Sequence, residues 1–210
     1  AKINPAHPNQ YESNGDWKNF DIENVIIKIS NGKQVERQLR FTHRGAVVSS
    51  FKHIPGKVIS MHWVGDEMSN EIKSVLMLNK ANNWNDLTQA LKTFTSISQN
   101  IVYADKKGNI GLYCAAGIPI RKRDIAFGIL PGQTDEYDWK GYVPFDQLPR
   151  LFNPTQGFVA SANNRTTSAD YPYHIGSWYS LPSRYQRIAE MLEDKMILSV
   201  DDFKEIQNDQ

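Results

Sequence analysis

The order of predicted elements argues for an α+β protein with a mostly antiparallel sheet and a β-rich N-terminal portion. Three observations carry this. Two hairpin signals, "NGK" at residues 31–33 and "KKGN" at 106–109, each separate runs rich in β-branched or alternating residues. Amphipathic helical stretches fall between those hairpins, and further ones close the chain. No strand–helix–strand unit repeats, so a doubly wound parallel sheet is not expected.

Taken in order, "ENVIIKIS" and "QVERQLRFT" flank the first turn as partner strands. "GAVVSS" and "KVISMHWVG" are further strand candidates, with "IPG" at 54–56 as the turn between them, and Trp17 and Phe20 are expected to pack on this part. Residues 70–80 place Ile72, Val75, Leu76 and Leu78 near one helical face, predicted to meet the core. Residues 85–94 place Leu87, Ala90, Leu91 and Phe94 at helical spacing, with Asn85 as N-cap. "NIVYAD" and "IGLYCAAG" form the second hairpin, and "GFVASA" reads as another short strand. "SRYQRIAEMLEDK" predicts a helix with Tyr185, Ile188, Met191 and Leu192 inward. A last helix begins after Ser199, with Asp202 three positions on as a capping partner. The expected organisation is a β-rich part over 1–65, a helical segment over 66–98, and strands and helices over 99–210.

Composition excludes several function classes. With 24 Lys and Arg against 23 Asp and Glu, the net charge of +1 gives no field that would steer the chain to nucleic acid. The basic run Arg121-Lys122-Arg123 is too short for a polyanion site. No stretch of about eighteen apolar residues is present, so no membrane-spanning helix is expected. The lone Cys114 can make no intrachain disulfide and is expected to be a buried structural thiol. Phosphate loops, dinucleotide fingerprints and Gly-x-Ser-x-Gly elbows are missing. His7, His43, His53, His62 and His174 are scattered, so no metal site is predicted from them. The chain opens on Ala1 and stops after "EIQNDQ" without a terminal breaker, and both ends read as cuts within a longer protein.

One stretch asks for explanation. "FVASANNRTTSADYPYH", from Phe158 to His174, ends an apolar run on two adjacent asparagines. A turn needs only Gly or Asp-Gly. Either Asn163-Asn164 is a turn, or one carboxamide is aimed at a ligand.

Several segments, in order, resemble the penicillin acylase (penicillin amidase) family. They are "KINPAHPNQYESNGDW", "SQNIVYADKKGNIGLYCAAGIPIR", "YDWKGYVPFDQLPRLFNPTQGFVASANNR" and the closing "SRYQRI…EIQND". The likeness spans nearly the whole chain. It implies an N-terminal-nucleophile hydrolase, part of a four-layer αββα sandwich, cut by its own action from a precursor into two chains. It implies hydrolysis of non-peptide amides, such as a β-lactam side chain or an acyl-homoserine lactone, by a serine whose own α-amino group is the base. It also implies export to the periplasm or medium, and the other chain of the processed precursor as partner.

The resemblance gives Asn163 the role of oxyanion-hole donor and leaves Asn164 as a turn residue. The chemistry is sound in itself, because acyl transfer develops negative charge on the carbonyl oxygen, where a fixed neutral N–H donor helps most. Arg184 matches an arginine that orders the nucleophile's surroundings. A cation there would help keep an α-amino base unprotonated. Trp139, Tyr142 and Phe145 are candidates for an acyl pocket, although aromatics at this density also build cores. No cofactor is required for such chemistry. Some members of the family bind a structural calcium, which leaves one open for the longer protein, with Asp170 near a ligand position. The sequence departs from the family at "THRGAVV", where Arg44 and Ala46 alter the pattern. Two other readings stay open here: a non-catalytic binding or scaffold homologue, and an unrelated extracellular β-rich binding domain.

Residue 1 is Ala, so the resemblance places the nucleophilic serine upstream of it. The 210-residue chain alone is therefore expected to hydrolyse no amide, which a time course on pure material checks.

Overall fold

The structure, a computed structural model, describes residues 1–49, 54–122, 128–195 and 197–209. Its elements run β1 (Gln10–Ser13), β2 (Asp16–Asn19), β3 (Asp21–Lys28), β4 (Gln34–Thr42), β5 (Gly45–Ala46), α1 (Glu71–Leu78) and α2 (Trp84–Leu91). They continue with β6 (Gln99–Ala104), β7 (Ile110–Ala115), β8 (Pro119–Arg121), β9 (Trp139–Tyr142), β10 (Arg150–Phe152), α3 (Ser183–Glu193) and α4 (Val200–Asn208). The order is strands, helices, strands, helices, and every ladder with a recorded register is antiparallel. The chain divides into two units, Ala1–Met68 with Pro119–Gly141, and Ser69–Ile118 with Tyr142–Gln210.

In the first unit, β3 and β4 pair from Asp21–Phe41 to Lys28–Gln34 around the predicted turn, where Gly32 holds φ +81°. Only glycine takes that angle without strain, and that fixes the hairpin there. The core lies beside this ribbon, where Tyr11, Phe20 and Val58 pack with Ile3, Ile22 and Val47. Tyr11 stacks on His43, and its hydroxyl accepts from the His43 backbone N–H at 2.9 Å. Phe20 is in this core as expected, but Trp17 is 41% exposed and carries Lys2 over its ring instead. The strands expected over 45–50 and 57–65 shrink to β5 and isolated bridges, Val47 with Ser60 and Ile54 with Lys57. The "IPG" turn does form, closed by Lys57 N–H donating to the Ile54 carbonyl at 3.1 Å. Ser50, the end of the first of those runs, and His53 lie outside the described residues, as does Arg123 of the basic run.

Arg44 ties the two segments of this unit together. Its Nε bonds the Asp138 carboxylate, Nη1 donates to the Gly132 carbonyl at 2.9 Å, and Nη2 donates to that of Thr134 at 2.7 Å. Three directed donors in one rigid plane fix a loop more firmly than a point charge would. Gly45, beside it, has φ +124°, and a Cβ there would strike the Met61 carbonyl. Arg44 thus has a structural role within this unit.

The second unit is built on β7. Leu112, Tyr113, Cys114 and Ala115 are buried, and β7 lies between β10 and β6. A central strand covered on both faces reads as a continuous apolar run, as "IGLYCAA" does. Gly111 lacks a side chain because the Trp84 ring occupies the space a Cβ would need. Trp84 sits edge-on to Tyr103 and stacks on Phe152, which seats α2 on the sheet. Leu87, Ala90 and Leu91 are buried as predicted, but the N-cap is Asn83, whose side chain accepts from Asp86 N–H. Asn83 wins over Asn85 because Trp84 must lie on the helix to reach the sheet.

The α1 face is a correction. Ile72, Val75 and Leu76 are 77%, 48% and 58% exposed, and the helix buries Ser74 instead. The Ser74 hydroxyl pairs with Thr93 Oγ1 at 2.8 Å. A polar contact, invisible to hydrophobic spacing, chooses the face. "GFVASA" is a second correction, because residues 158–160 join no strand ladder. That run is held by a side chain, with Asn100 Nδ2 on β6 donating to Ser161 Oγ at 2.8 Å. The closing helices follow expectation. Tyr185, Ile188, Met191 and Leu192 are half-buried on α3, and Ser199 with Asp202 forms a capping box at α4. Arg187 reaches Asp209 through Nε at 2.8 Å and Nη2 at 2.9 Å, tying α3 to the end of α4.

Glu71 anchors the start of α1. Its carboxylate accepts from Ser69 Oγ at 2.6 Å, Ser96 N–H and Oγ at 2.8 Å each, and Thr95 N–H at 3.1 Å. These bonds, that from Ser69 first, hold its pKa down from 4.5 to about 2. A depressed carboxylate contributes stability that is present above its unfolded pKa and is lost as pH falls through the folded one. Glu71→Gln is therefore expected to lower the thermal midpoint above pH 4.5 and to flatten its fall between pH 4.5 and about 2. Unfolding midpoints taken across that range check this.

Candidate functional site

The Asn163 stretch lies in the second unit. Asn163 adopts φ +62°, one of three non-glycine residues with a positive φ among the described residues. Asparagine tolerates this left-handed backbone better than most side chains. Its carbonyl accepts from Ser180 N–H at 2.8 Å, which brings the 163 turn to the segment just before α3. Asn164 completes the turn, its Oδ1 accepting from Ala162 N–H at 3.0 Å and its Nδ2 donating to the Arg165 carbonyl at 3.1 Å. Both amide ends of Asn164 are thus engaged within its own loop.

Asn163 is used differently. Arg184 Nη1 donates to Asn163 Oδ1 at 3.4 Å. That contact takes the acceptor end of the carboxamide. Among the described residues, no acceptor pairs with the Asn163 Nδ2 donor, and the side chain is exposed. The structure therefore brings together Asn163 and Arg184, which are 21 residues apart in sequence. Arg184 sits in the first turn of α3, which has no acidic residue and no side-chain cap. A cation at that end opposes the helix dipole, so helix stability does not explain its presence.

The rest of the stretch anchors the loop. Arg165 Nε donates to Thr167 Oγ1 at 3.2 Å, and its Nη2 to the Ser168 carbonyl at 3.1 Å. Tyr171 donates to the Gln147 carbonyl at 2.7 Å, and Tyr173 to the Gln147 side chain. Burial pushes the Tyr171 hydroxyl up to about 12. The terminal aromatics of the motif are thus struts.

Other candidate groups fall elsewhere. Phe145 stacks on Tyr113 and Trp139 on His62, each with its own partner. Burial raises the pKa of Cys114 and removes it as a nucleophile. His174 Nε2 meets Ser177 Oγ at 3.1 Å within one loop, but no carboxylate among the described residues orients the ring. That pair lacks the third group a triad needs. Asp170 is engaged by the Ser168 side chain, which lowers its pKa. Among the described residues no group of three His, Cys, Asp or Glu is arranged to hold a metal ion. No described helix is long and apolar enough to cross a membrane.

The α+β architecture is that of an N-terminal-nucleophile hydrolase, as its structural neighbour shows. Thermostable penicillin G acylase from Alcaligenes faecalis superposes with a TM-score of 0.81 at 27% identity, over 98% of this chain and 37% of that one. The penicillin amidase family pattern matches residues 1–210, so the chain belongs to the penicillin amidase family. Penicillin G acylase from Escherichia coli is 28% identical over 204 residues, 95% of this chain and 24% of that protein. A penicillin acylase 2 proenzyme from a Pseudomonas species is 32% identical over 123 residues, 59% of this chain and 16% of that protein. Acyl-homoserine lactone acylase QuiP from Pseudomonas fluorescens is 25% identical over 189 residues, 86% of this chain and 22% of that protein. The chain thus spans less than a quarter of the length of each of these three relatives.

The backbone angle at residue 163 separates turn from side chain. Asn163→Gly is expected to leave stability within about 1 kcal/mol of native, because glycine accepts the left-handed angle freely. Asn163→Ala is expected to be about 1–2 kcal/mol less stable than the glycine variant. Denaturant midpoints of the three proteins check this.

Proposed function

We propose that this chain supplies the oxyanion-stabilising amide of a penicillin-acylase-like hydrolase that cleaves linear, non-peptide amides through an acyl-enzyme. Asn163 Nδ2 is the donor and Arg184 is its positioning residue. One observation supports this above the others: the guanidinium takes Oδ1 of Asn163, which turns the N–H end of the same carboxamide outward. A donor so held needs no reorganisation as negative charge grows on the carbonyl oxygen. Family membership gives that geometry a reaction to serve.

In this reading a serine hydroxyl attacks the amide carbonyl carbon, and its proton passes by way of the α-amino base to the leaving nitrogen. The carbon–nitrogen bond breaks, and water then releases the acid from the acyl-serine. The serine and its base belong to the part of a longer protein outside these 210 residues, consistent with the small share of each relative that the chain covers. The chain alone is inactive in this reading. The names of the relatives point to two acyl classes, penicillins and acyl-homoserine lactones.

The test uses the intact protein and a panel of phenylacetyl amides, aliphatic amides and acyl-homoserine lactones. Asn163→Gly is expected to lower kcat about 10²–10³-fold on the best substrate, with KM little changed. Arg184→Ala is expected to fall between native and that variant, with Arg184→Lys recovering part of the loss. Native turnover by a folded Asn163→Gly protein would refute the assignment.

A further inference from the structure

The first unit contains a cavity of about 530 Å³. That volume is within the range of about 300–1,000 Å³ usual for small-molecule sites. Its wall is largely apolar, with Val48, Met61, Ile129 and Leu130 among its lining residues. His62 and Trp139 also line it and stack face to face, with ring centroids 3.6 Å apart and planes within 12°.

Two arginines among the described residues reach this cavity, and they differ. Arg44 is consumed by the loop it clasps, with Nε, Nη1 and Nη2 each donating to a protein oxygen. Arg121, at the end of β8, makes a single hydrogen bond among the described residues, from Nη1 to the Pro119 carbonyl at 3.4 Å. No carboxylate among the described residues pairs with it, and the side chain is half-buried. Burial pushes its pKa down. A desolvated guanidinium with spare donors beside an apolar hollow is complementary to a carboxylate carrying an apolar tail.

We propose that this cavity binds a monocarboxylate with an apolar chain, Arg121 taking the carboxylate and the Met61, Ile129 and Leu130 wall taking the tail. Trp139 then lies against the ligand and reports on it. The assignment uses neither Asn163 nor Arg184, the groups proposed for amide hydrolysis, and stands or falls separately from that activity.

Titration calorimetry and tryptophan fluorescence of the protein with sodium octanoate at pH 7 test this, with 1-octanol as the uncharged control. Octanoate is expected to bind about tenfold or more tightly than octanol, the preference that a charge-assisted pair provides. Arg121→Gln is expected to abolish that preference, and Arg121→Lys, which keeps the charge, to retain part of it. Octanoate is expected to change the emission of the native protein, and Trp139→Phe to lose that change. Equal binding of octanoate and octanol to native protein would overturn the proposal whether or not the glutamine variant folds. So would undiminished octanoate binding by Arg121→Gln, or no octanoate binding at all.

Discussion

Burial of β7 is the constraint on which the second unit depends. Leu112, Tyr113, Cys114 and Ala115 leave solvent together, and both neighbouring strands take their register from them. Buried apolar area is the largest favourable term available to such a strand. Position then passes outward by single bonds. β6 pairs with β7, Asn100 on β6 holds Ser161, and two residues later the chain turns at Asn163. The candidate donor is therefore referenced to the buried central strand of its sheet, although Asn163 itself is exposed. A site that must hold a dipole in one direction gains from such backing.

Much of this fold is legible in the sequence, and the reason is local. The hairpins around Gly32 and Gly108, the buried face of α2 and the capping box at Ser199 each depend on a few neighbouring residues with strong preferences. What the sequence hides depends on distant partners. The exposed apolar face of α1 follows from Thr93 claiming Ser74, and nothing in the spacing of Ile72, Val75 and Leu76 announces that. The run before Asn163 has the composition of a strand, yet a side-chain bond from Asn100 replaces the ladder. Arg44 is unreadable for the same reason, because its three acceptors lie about ninety residues further along the chain.

The candidate site divides in the same way. Two adjacent asparagines after an apolar run pose a question that only three-dimensional partners answer. Asn164 satisfies both ends of its amide locally and closes the turn. Among the described residues Asn163 satisfies only one end, through an arginine from another element. The turn reading of the motif thus holds for Asn164, and Asn163 differs from it in taking its partner from α3.

The solitary thiol on β7 has a consequence of its own. Cys114 is buried in the middle strand of its sheet, and burial keeps it in the unreactive protonated form. A soluble alkylating reagent can reach it only when that strand separates from its neighbours. The rate of its modification under native conditions would therefore time the opening of the sheet itself, and the protein carries this internal clock without any engineered label.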